Sequence, residues 1–270
     1  TGVGIYLKDG SLNITNTAAI NLGTKIAVGV YTENSNIINA ANINVGENNF
    51  GFVALNGLFT NTATSGILGN DSVYLLKTGA GTVVNDLGTT ISINGSRSTA
   101  FYVLSGADFI NNGTITGTSG VSNVGIHTEN GSVTNNGTIN LGDSYIIFRK
   151  DTNGDYLLDH NGNKIVDIAN SLFTVGIYGE NSNITNSSSG SITTGAGGVG
   201  IGLITGKAEN NGSITTTGGY SMGMYTERGT IINNGTINVS GESSIGMAGN
   251  GTDSNVINNG TILVSGKNAI

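Results

Sequence analysis

The sequence predicts an all-β protein: a right-handed parallel β-helix, a three-faced solenoid of about ten coils, with one inserted β-meander. One pattern recurs along the chain and is clearest as GIHTENGSVTNNGTINLG from Gly125. Within each copy, apolar and polar residues alternate with the period of two that is typical of strands. Asn-Gly and Gly-Thr steps end each run and supply the turns. Three short strands and three turns give a coil of about 24 residues.

Each copy of the pattern begins at a small residue. The ten starting residues are Gly4, Gly29, Gly51, Ser72, Ala100, Gly125, Gly176, Gly200, Gly223 and Gly246. Successive starts lie 21 to 28 residues apart, with one interval of 51 residues between Gly125 and Gly176. A unit of this length cannot bury its apolar face alone, so the copies must stack. At roughly 4.8 Å per coil, ten coils give a rod about 48 Å long.

Three apolar columns are expected to fill the interior of the rod. The first follows the starting residues and contains Ile5, Val30, Phe52, Val73, Phe101, Ile126, Ile177, Ile201, Met224 and Met247. The second contains Ile14, Ile37, Phe59, Val83, Phe109, Val133, Ile184, Ala208, Ile231 and Val256. The third is wholly isoleucine, at Ile20, Ile43, Ile67, Ile91, Ile115, Ile139, Ile192, Ile214, Ile237 and Ile262. We place all three in one thin core.

A column of asparagine accompanies the apolar columns. Its members are Asn16, Asn39, Asn61, Asn85, Asn111, Asn135, Asn186, Asn210, Asn233 and Asn258. A side-chain amide has both a donor and an acceptor, so stacked asparagines are expected to bond to one another along the axis. Asparagine also tolerates the left-handed backbone of turns. We therefore interpret this column as structural and not as a ligand site.

The composition limits the class of protein. The repeat runs through all 270 residues, so we predict a single domain over residues 1–270. Because cysteine is absent, disulfides and cysteine-ligated zinc are excluded. A net charge of −7 with only 10 lysines and arginines makes nucleic acid and anionic lipid surfaces poor partners.

Neither end of the sequence closes the repeat. Thr1 opens in mid-pattern, and Ile270 stops where another coil would begin. Solenoids need polar caps at their ends, so we expect a segment of a longer, monomeric rod. No apolar run reaches the length of a membrane helix, and no signal peptide is recognised, so secretion or anchoring would depend on regions outside this sequence.

The repeat resembles that of a class of surface proteins. The runs GVYTEN, GIHTENGSVTNNGTINLG, GIYGENSNITN and GMYTERGTIINNGTINVSG are similar to passenger repeats of large type V autotransporter adhesins, most of all fusobacterial outer-membrane adhesins of the RadD kind. The resemblance covers the chain except residues 145–174. It implies a β-helix displayed at the outer membrane of a Gram-negative bacterium and exported through a C-terminal translocator barrel that is absent here. It also implies adhesion to host or bacterial cells through a protein or glycan receptor.

Residues 145–174 depart from the repeat. Their sequence, YIIFRK-DTNG-DYLLD-HNGN-KIVDI and onward, contains three strand-like runs separated by two turn signals. We expect a β-hairpin or meander that protrudes between coils six and seven. Insertions in solenoids often carry the binding face. The candidate partner contacts are Phe148, Arg149, Lys150, Tyr156 and His160. A decorative hairpin without a ligand is the alternative.

Oxygen-bearing side chains in the insertion suggest a calcium loop, because calcium takes clustered oxygen ligands. The candidate ligands are Asp151, Asn153, Asp155 and Asp159. Two departures from the EF-hand pattern oppose this interpretation: Tyr156 replaces the glycine, and Gly162 replaces the bidentate carboxylate. Asp and Asn also form local turn bonds without metal. We expect no other cofactor.

An outward stripe is the second candidate site. The column after the first apolar one holds Tyr6, Tyr31, Val53, Tyr74, Tyr102, His127, Tyr178, Gly202, Tyr225 and Ala248. Two residues farther on lie Glu33, Glu129, Glu180 and Glu227. We take Tyr31, Tyr102, His127, Tyr178 and Tyr225 as candidate contacts for a glycan or protein, since aromatic side chains offer rigid contact area. The alternative is that the rings only stabilise neighbouring strands.

We expect a surface-displayed adhesin segment that mediates or presents binding to host or other bacterial cells. A pure stalk with no ligand site in this segment is one alternative. A carbohydrate-active β-helix enzyme is another, because such enzymes use paired carboxylates. Here the carboxylates are repeat positions, and His127 and His160 lack a nucleophile with a recognisable signature. We therefore predict that the chain is not an enzyme.

Overall fold

The computed structural model describes residues 2–15, 17, 19–24 and 26–270. The described chain forms three parallel sheets of ten strands each, and every strand pairs with its equivalents in the adjacent coils. Within these ranges there is no helix, and so none with the length and apolar character of a membrane span. The predicted right-handed, three-faced β-helix is confirmed.

Each coil contributes one strand to each sheet. Sheet A consists of β1 (Val3–Lys8), β4 (Val28–Glu33), β7 (Phe50–Leu55), β10 (Val73–Thr78), β13 (Thr99–Val103), β16 (Val124–Glu129), β19 (Val175–Glu180), β22 (Val199–Leu203), β25 (Met222–Thr226) and β28 (Ile245–Gly249). Sheet B consists of β2 (Ser11–Ile14), β5 (Asn36–Asn39), β8 (Phe59–Asn61), β11 (Thr82–Asn85), β14 (Asp108–Asn111), β17 (Ser132–Asn135), β20 (Ser182–Asn186), β23 (Gly206–Asn210), β26 (Thr230–Asn233) and β29 (Asn255–Asn258). Sheet C consists of β3 (Ala19–Leu22), β6 (Asn42–Val45), β9 (Gly66–Leu68), β12 (Thr90–Ile93), β15 (Thr114–Gly117), β18 (Thr138–Leu141), β21 (Ser191–Thr194), β24 (Ser213–Thr216), β27 (Thr236–Val239) and β30 (Thr261–Val264).

The interior of the rod is one continuous apolar core. Ile126 of β16, Val133 of β17 and Ile139 of β18 are all buried and belong to it. Ile126 stacks on Ile177 of the next coil, and Ile139 stacks on Ile192. The three apolar columns therefore lie inside the rod as predicted, except at positions in coils one, three and four and in coil ten, where Val256 is 43% exposed.

In coil four the predicted register is wrong. Leu75 pairs with Phe52 and with Phe101, so Leu75 and not Val73 holds the first apolar column. Tyr74 accordingly takes the position that a small residue has in the other coils, and its side chain is buried. We placed Tyr74 on the outward stripe. Leu76 is there instead, paired with Tyr102.

In coil three the isoleucine column is interrupted. Gly66 pairs with Ile43 and Ile91, so Gly66 holds the inward position that we assigned to Ile67. Ile67 lies one residue farther along the strand, and because side chains alternate between faces, it points to the other side of the sheet.

In coil one the asparagine column begins later than predicted. Leu12 pairs with Ile37, and Ile14 pairs with Asn39. Ile14 therefore takes the ladder position, and Leu12 takes the second apolar column that we assigned to Ile14. Asn16, which we counted as the first asparagine of the column, lies outside the described residues.

The other nine asparagines form the predicted amide ladder. The side-chain nitrogen of each one donates to the side-chain oxygen of the next across eight links of 2.7 to 3.0 Å. The rungs are Asn39, Asn61, Asn85, Asn111, Asn135, Asn186, Asn210, Asn233 and Asn258. All nine lie at the end of sheet B strands, and every donor points toward the C-terminal neighbour.

Lys77 is a cation in the interior of the rod. Its side chain is fully buried, in register with Ala54 and Val103. The ammonium group donates to the backbone carbonyls of Thr78, Gly79 and Ala80 at 3.0, 2.9 and 2.9 Å. Burial lowers the pKa of Lys77 to about 8. The three carbonyls satisfy the hydrogen-bonding capacity of a charge that the apolar core could not otherwise hold.

Candidate functional site

The insertion leaves the stack between β18 and β19. At its base, Tyr145 and Leu172 exchange backbone hydrogen bonds of 2.9 Å in each direction. The Ser122 hydroxyl donates to the carbonyl of Leu172 at 2.8 Å and ties this base to the rod. The two ends of the segment therefore meet as an antiparallel pair.

Inside the insertion, three runs pair with one another in a cycle. The backbone N–H of Arg149 donates to Ile165, that of Ile165 to Leu157, and that of Leu157 to Arg149, at 2.9, 3.0 and 3.0 Å. These residues are eight positions apart, so the segment is a threefold repeat of FRKDTNGD, YLLDHNGN and KIVDIANS. The three runs were expected from the sequence, whereas this eight-residue period was not.

The acidic residues of the first two repeats hold the turns together. The Asp151 carboxylate accepts the backbone N–H groups of Asn153 and Asp155 at 2.8 and 3.0 Å. Asp159 accepts those of Asn161 and Asn163 at 2.8 and 2.9 Å. The N–H of Asn163 is the largest cause that lowers the pKa of Asp159.

These bonds bear on the calcium hypothesis. One oxygen of Asp151 and both oxygens of Asp159 are already used by the turns, which is the metal-free role of Asp in turns. Among the residues that the structure describes, no group of three or more acidic or histidine side chains is arranged to hold a metal ion. A calcium ion at Asp151, Asn153, Asp155 and Asp159 stays a prediction.

The insertion bends along the rod toward later coils. The Phe148 ring packs edge-on against Tyr220, with ring centres 5.0 Å apart. The Asn268 amide donates to the side-chain oxygen of Asn163 at 2.7 Å. These contacts place the insertion over the corner between sheets C and A, where Tyr220 is a contact residue that the sequence-based prediction missed.

The outer surface of the insertion combines cations with exposed apolar groups. The ammonium groups of Lys150 and Lys164 lie 4.9 and 4.2 Å from the centre of the Tyr156 ring. Tyr156 is 45% exposed, Leu158 56% and Ile168 70%. The candidates Arg149 and His160 are also exposed, His160 in the second turn. Within the described part of the chain, none of these cations is within ion-pair distance of a carboxylate.

On sheet A, His127 lies between two tyrosines. Its ring centre is 4.2 Å from that of Tyr102 and 4.9 Å from that of Tyr178. Its Nε2 is 3.0 Å from Oε1 of Glu129, and the Tyr102 hydroxyl donates to the same oxygen at 3.5 Å. The stripe therefore brings three of the candidate residues and one carboxylate together.

Burial is the largest cause of the pKa shifts in this cluster. Burial lowers the pKa of His127, while Glu129 acts in the opposite direction, so the imidazole is neutral at neutral pH. Burial also raises the pKa of Tyr102 and, together with Glu180, Glu227 and Glu129, that of Tyr178. The cluster can accept hydrogen bonds through the Glu129 carboxylate, and its imidazole carries no charge at neutral pH.

The two remaining candidates of the stripe lie elsewhere on sheet A. Tyr31 stacks on Tyr6 at 5.7 Å, and its hydroxyl donates to Glu33 at 3.2 Å. Tyr225 lies in coil nine. Among the described residues, no hydrogen bond or ring contact joins the candidates of the insertion to those of the stripe, so the structure keeps the two candidate sites separate.

Comparison with known proteins gives one family. Residues 88–270, about two thirds of the chain, match the family model described as the BigA third pectate lyase-like domain. The match includes the insertion and the whole Tyr102–His127–Tyr178 cluster. No curated protein and no solved structure matches the chain.

Proposed function

The chain belongs to the family of the BigA third pectate lyase-like domain, and from this premise we propose that it is a passenger segment of a bacterial adhesin that binds host or other bacterial cells. The family and the coil architecture fit a surface passenger domain of the autotransporter or adhesin type. The proposal adds display at the outer membrane of a Gram-negative bacterium, likeness to fusobacterial adhesins, and a protein or glycan receptor.

The insertion is the observation that supports binding within this segment. The rod repeats similar side chains in successive coils, whereas residues 145–172 gather three cations without an ion-pair partner, three aromatic rings and several exposed apolar side chains. Exposed apolar groups beside cations are typical of contact surfaces. Internal hydrogen bonds hold the segment in one shape, which lowers the entropic cost of binding.

The base of the insertion allows a clean deletion. Because Tyr145 and Leu172 are a paired antiparallel position, residues 146–171 can be replaced by Asn-Gly, the sequence of a two-residue hairpin turn. We expect the labelled deletion variant to lose most of its binding to host cells and to partner bacteria in flow cytometry. Lys207→Gln, which removes an exposed cation already paired with Glu209, serves as the control.

Unchanged cell binding by the folded deletion variant would reject the insertion as the receptor contact. It would favour the stalk, whose receptor site lies outside residues 1–270. The circular dichroism spectrum of the variant shows whether the β-helix is intact.

We also propose that this segment is not an enzyme. The carboxylates of the stripe are repeat positions, and Glu129 is engaged by His127 and Tyr102. The cations of the insertion have no carboxylate within ion-pair distance in the described chain, so no acid–base pair of the kind that sugar-cleaving enzymes use is formed there. Steady release of new chain ends from acidic polysaccharides would contradict this.

A further inference from the structure

The aromatic rings of the stripe differ in whether their faces are free. Tyr102, His127 and Tyr178 stack on one another, and Tyr6 stacks on Tyr31. Tyr225 pairs in register with Gly202 on one side and with Ala248 on the other. Tyr225 thus has no ring neighbour in the described structure, although the flanking positions belong to the same column.

The two sides of Tyr225 are unequal. Gly202 is buried, and a β-carbon there would lie 3.6 Å from Cδ2 of Tyr178, which shows that the Tyr178 ring leans over this glycine. Ala248 is half-buried and has only a methyl group. The face of Tyr225 above Ala248 is therefore the free one. Met222 and Ile245, three residues before Tyr225 and Ala248, are half-buried and border it with apolar surface.

The carboxylate beside Tyr225 is free as well. Glu33 accepts a hydrogen bond from Tyr31, and Glu129 is engaged by His127. Glu227 has the equivalent position relative to Tyr225, yet neither its carboxylate nor the Tyr225 hydroxyl has a hydrogen bond or ion pair within the described ranges. Coil nine thus presents an open ring face, a phenol and an acceptor together.

We propose that Tyr225 and Glu227 form a subsite for a pyranose ring of a glycan. One face of the sugar packs its C–H groups on Tyr225 above Ala248, and a sugar hydroxyl donates to the Glu227 carboxylate. An apolar ring face with hydroxyl donors at its edge matches this combination, because the site offers an aromatic face and acceptors. The inference rests on the proposed function, since the glycan would belong to the cell-surface receptor.

The test uses the 270-residue chain and methyl β-D-glucopyranoside, a neutral sugar whose axial hydrogens project from one ring face. Saturation-transfer NMR is expected to show transfer to those hydrogens. We expect Tyr225→Leu and Ala248→Ile, which remove or cover the ring face, to weaken binding by about tenfold or more. Glu227→Gln should weaken it too, because the charged acceptor is lost. Tyr6→Leu, at a stacked and exposed ring, is the matched control.

Three outcomes would overturn the subsite: absence of saturation transfer, equal binding by Tyr225→Leu and the unmodified chain, or preferential binding of N-acetyl-tyrosinamide over the glycoside. The last would assign the face to a protein partner. Tyr225, Glu227 and Ala248 are half-buried and Tyr6 is exposed, so circular dichroism is used to confirm the fold of each variant. The sugar assay is independent of the deletion of residues 146–171, so a failed subsite leaves the cell-binding proposal standing, and the reverse also holds.

Discussion

The ring of Tyr74 fills the space that Gly66 leaves empty in the preceding coil. A β-carbon on Gly66 would lie 2.6 Å from Cε2 of Tyr74 and 2.8 Å from Cδ1 of Ile91. The Tyr74 hydroxyl donates to the side chain of Asn61 at 2.9 Å and accepts from Asn39 at 3.2 Å. Two departures from the repeat, a tyrosine for a small residue and a glycine for isoleucine, therefore compensate each other.

This relationship predicts a large coupling between the two positions. Gly66→Ile restores the isoleucine column but collides with the Tyr74 ring, which we expect to destabilise the chain by about 1–3 kcal/mol or more. Tyr74→Gly leaves a cavity, at a cost of about 3–5 kcal/mol, and removes one hydrogen bond each from Asn39 and Asn61, which stay bonded to each other. The double variant should recover most of both losses. Urea unfolding measures the cycle, and simple additivity of the two losses would refute the compensation.

The amide ladder predicts different costs for two adjacent asparagines. Asn135→Leu breaks the links to Asn111 and Asn186 in the buried ladder, and we expect a loss of about 2–5 kcal/mol because buried amide groups are left unpaired. Asn136→Leu removes one bond to Asn112 near the surface and should cost less than about 1 kcal/mol. Thermal unfolding of both variants makes the comparison. Equal losses would show that the buried ladder adds no stability of its own.

From the buried position of Lys77 we predict that the free energy of unfolding increases at alkaline pH. Its pKa is 10.5 in the unfolded chain and about 8 when folded, so the folded chain binds this proton less tightly. Below pH 8 both forms are protonated and the charge destabilises the fold. As the pH rises from about 8 to 10.5, that penalty is relieved, by roughly 3 kcal/mol in total.

The comparison with Lys77→Met isolates this effect. As the pH rises from about 8 to 10.5, the free energy of unfolding of the unmodified chain should increase relative to that of the variant. A difference between the two that stays constant from pH 7 to pH 10 would show that the three carbonyls keep the ammonium group protonated in the folded chain.

The contact between Phe148 and Tyr220 predicts that the insertion can be loosened without unfolding the rod. Tyr220 has a positive φ of 60°, which asparagine tolerates, so Tyr220→Asn removes the ring with little backbone strain. We expect faster tryptic cleavage after Lys150 and Lys164 and a nearly unchanged melting temperature. Ser243→Asn, at the equivalent corner of the next coil with φ 54°, should leave the cleavage rate unaltered. If trypsin cleaves the Tyr220→Asn variant at the same rate as the unmodified chain, the contact between Phe148 and Tyr220 does not hold the insertion in place.

The repeat made most of the fold predictable, because each inward position is reinforced by equivalent residues in neighbouring coils. The errors lie where one coil differs. At Tyr74 the pattern Ser-Val-Tyr allowed two registers, and only the space above Gly66, a contact between coils, decides between them. In coil one, Ile14 occupies the position that asparagine has in the later coils. Alignment on the nearest asparagine therefore gave the wrong register for this coil.

The candidate site was predictable to a similar extent. The outward position of Tyr102, His127 and Tyr178 follows from alternation along the strand. The free face of Tyr225 depends on Gly202 and Ala248, which are visible in the same column but matter only once the coils are known to pair in that register. The orientation of the insertion toward later coils depends on its contact with Tyr220. This residue lies far along the chain, and no local sequence pattern marks it as a contact.

The amide ladder gives the rod a head and a tail. At the C-terminal end of the ladder, the side-chain nitrogen of Asn258 has no further asparagine to which it donates. At the N-terminal end, the side-chain oxygen of Asn39 faces the preceding coil. Two such segments joined in the same orientation match nitrogen to oxygen at the seam, whereas a reversed segment sets like against like. Chimeric rods assembled from these coils must therefore keep a single chain direction throughout.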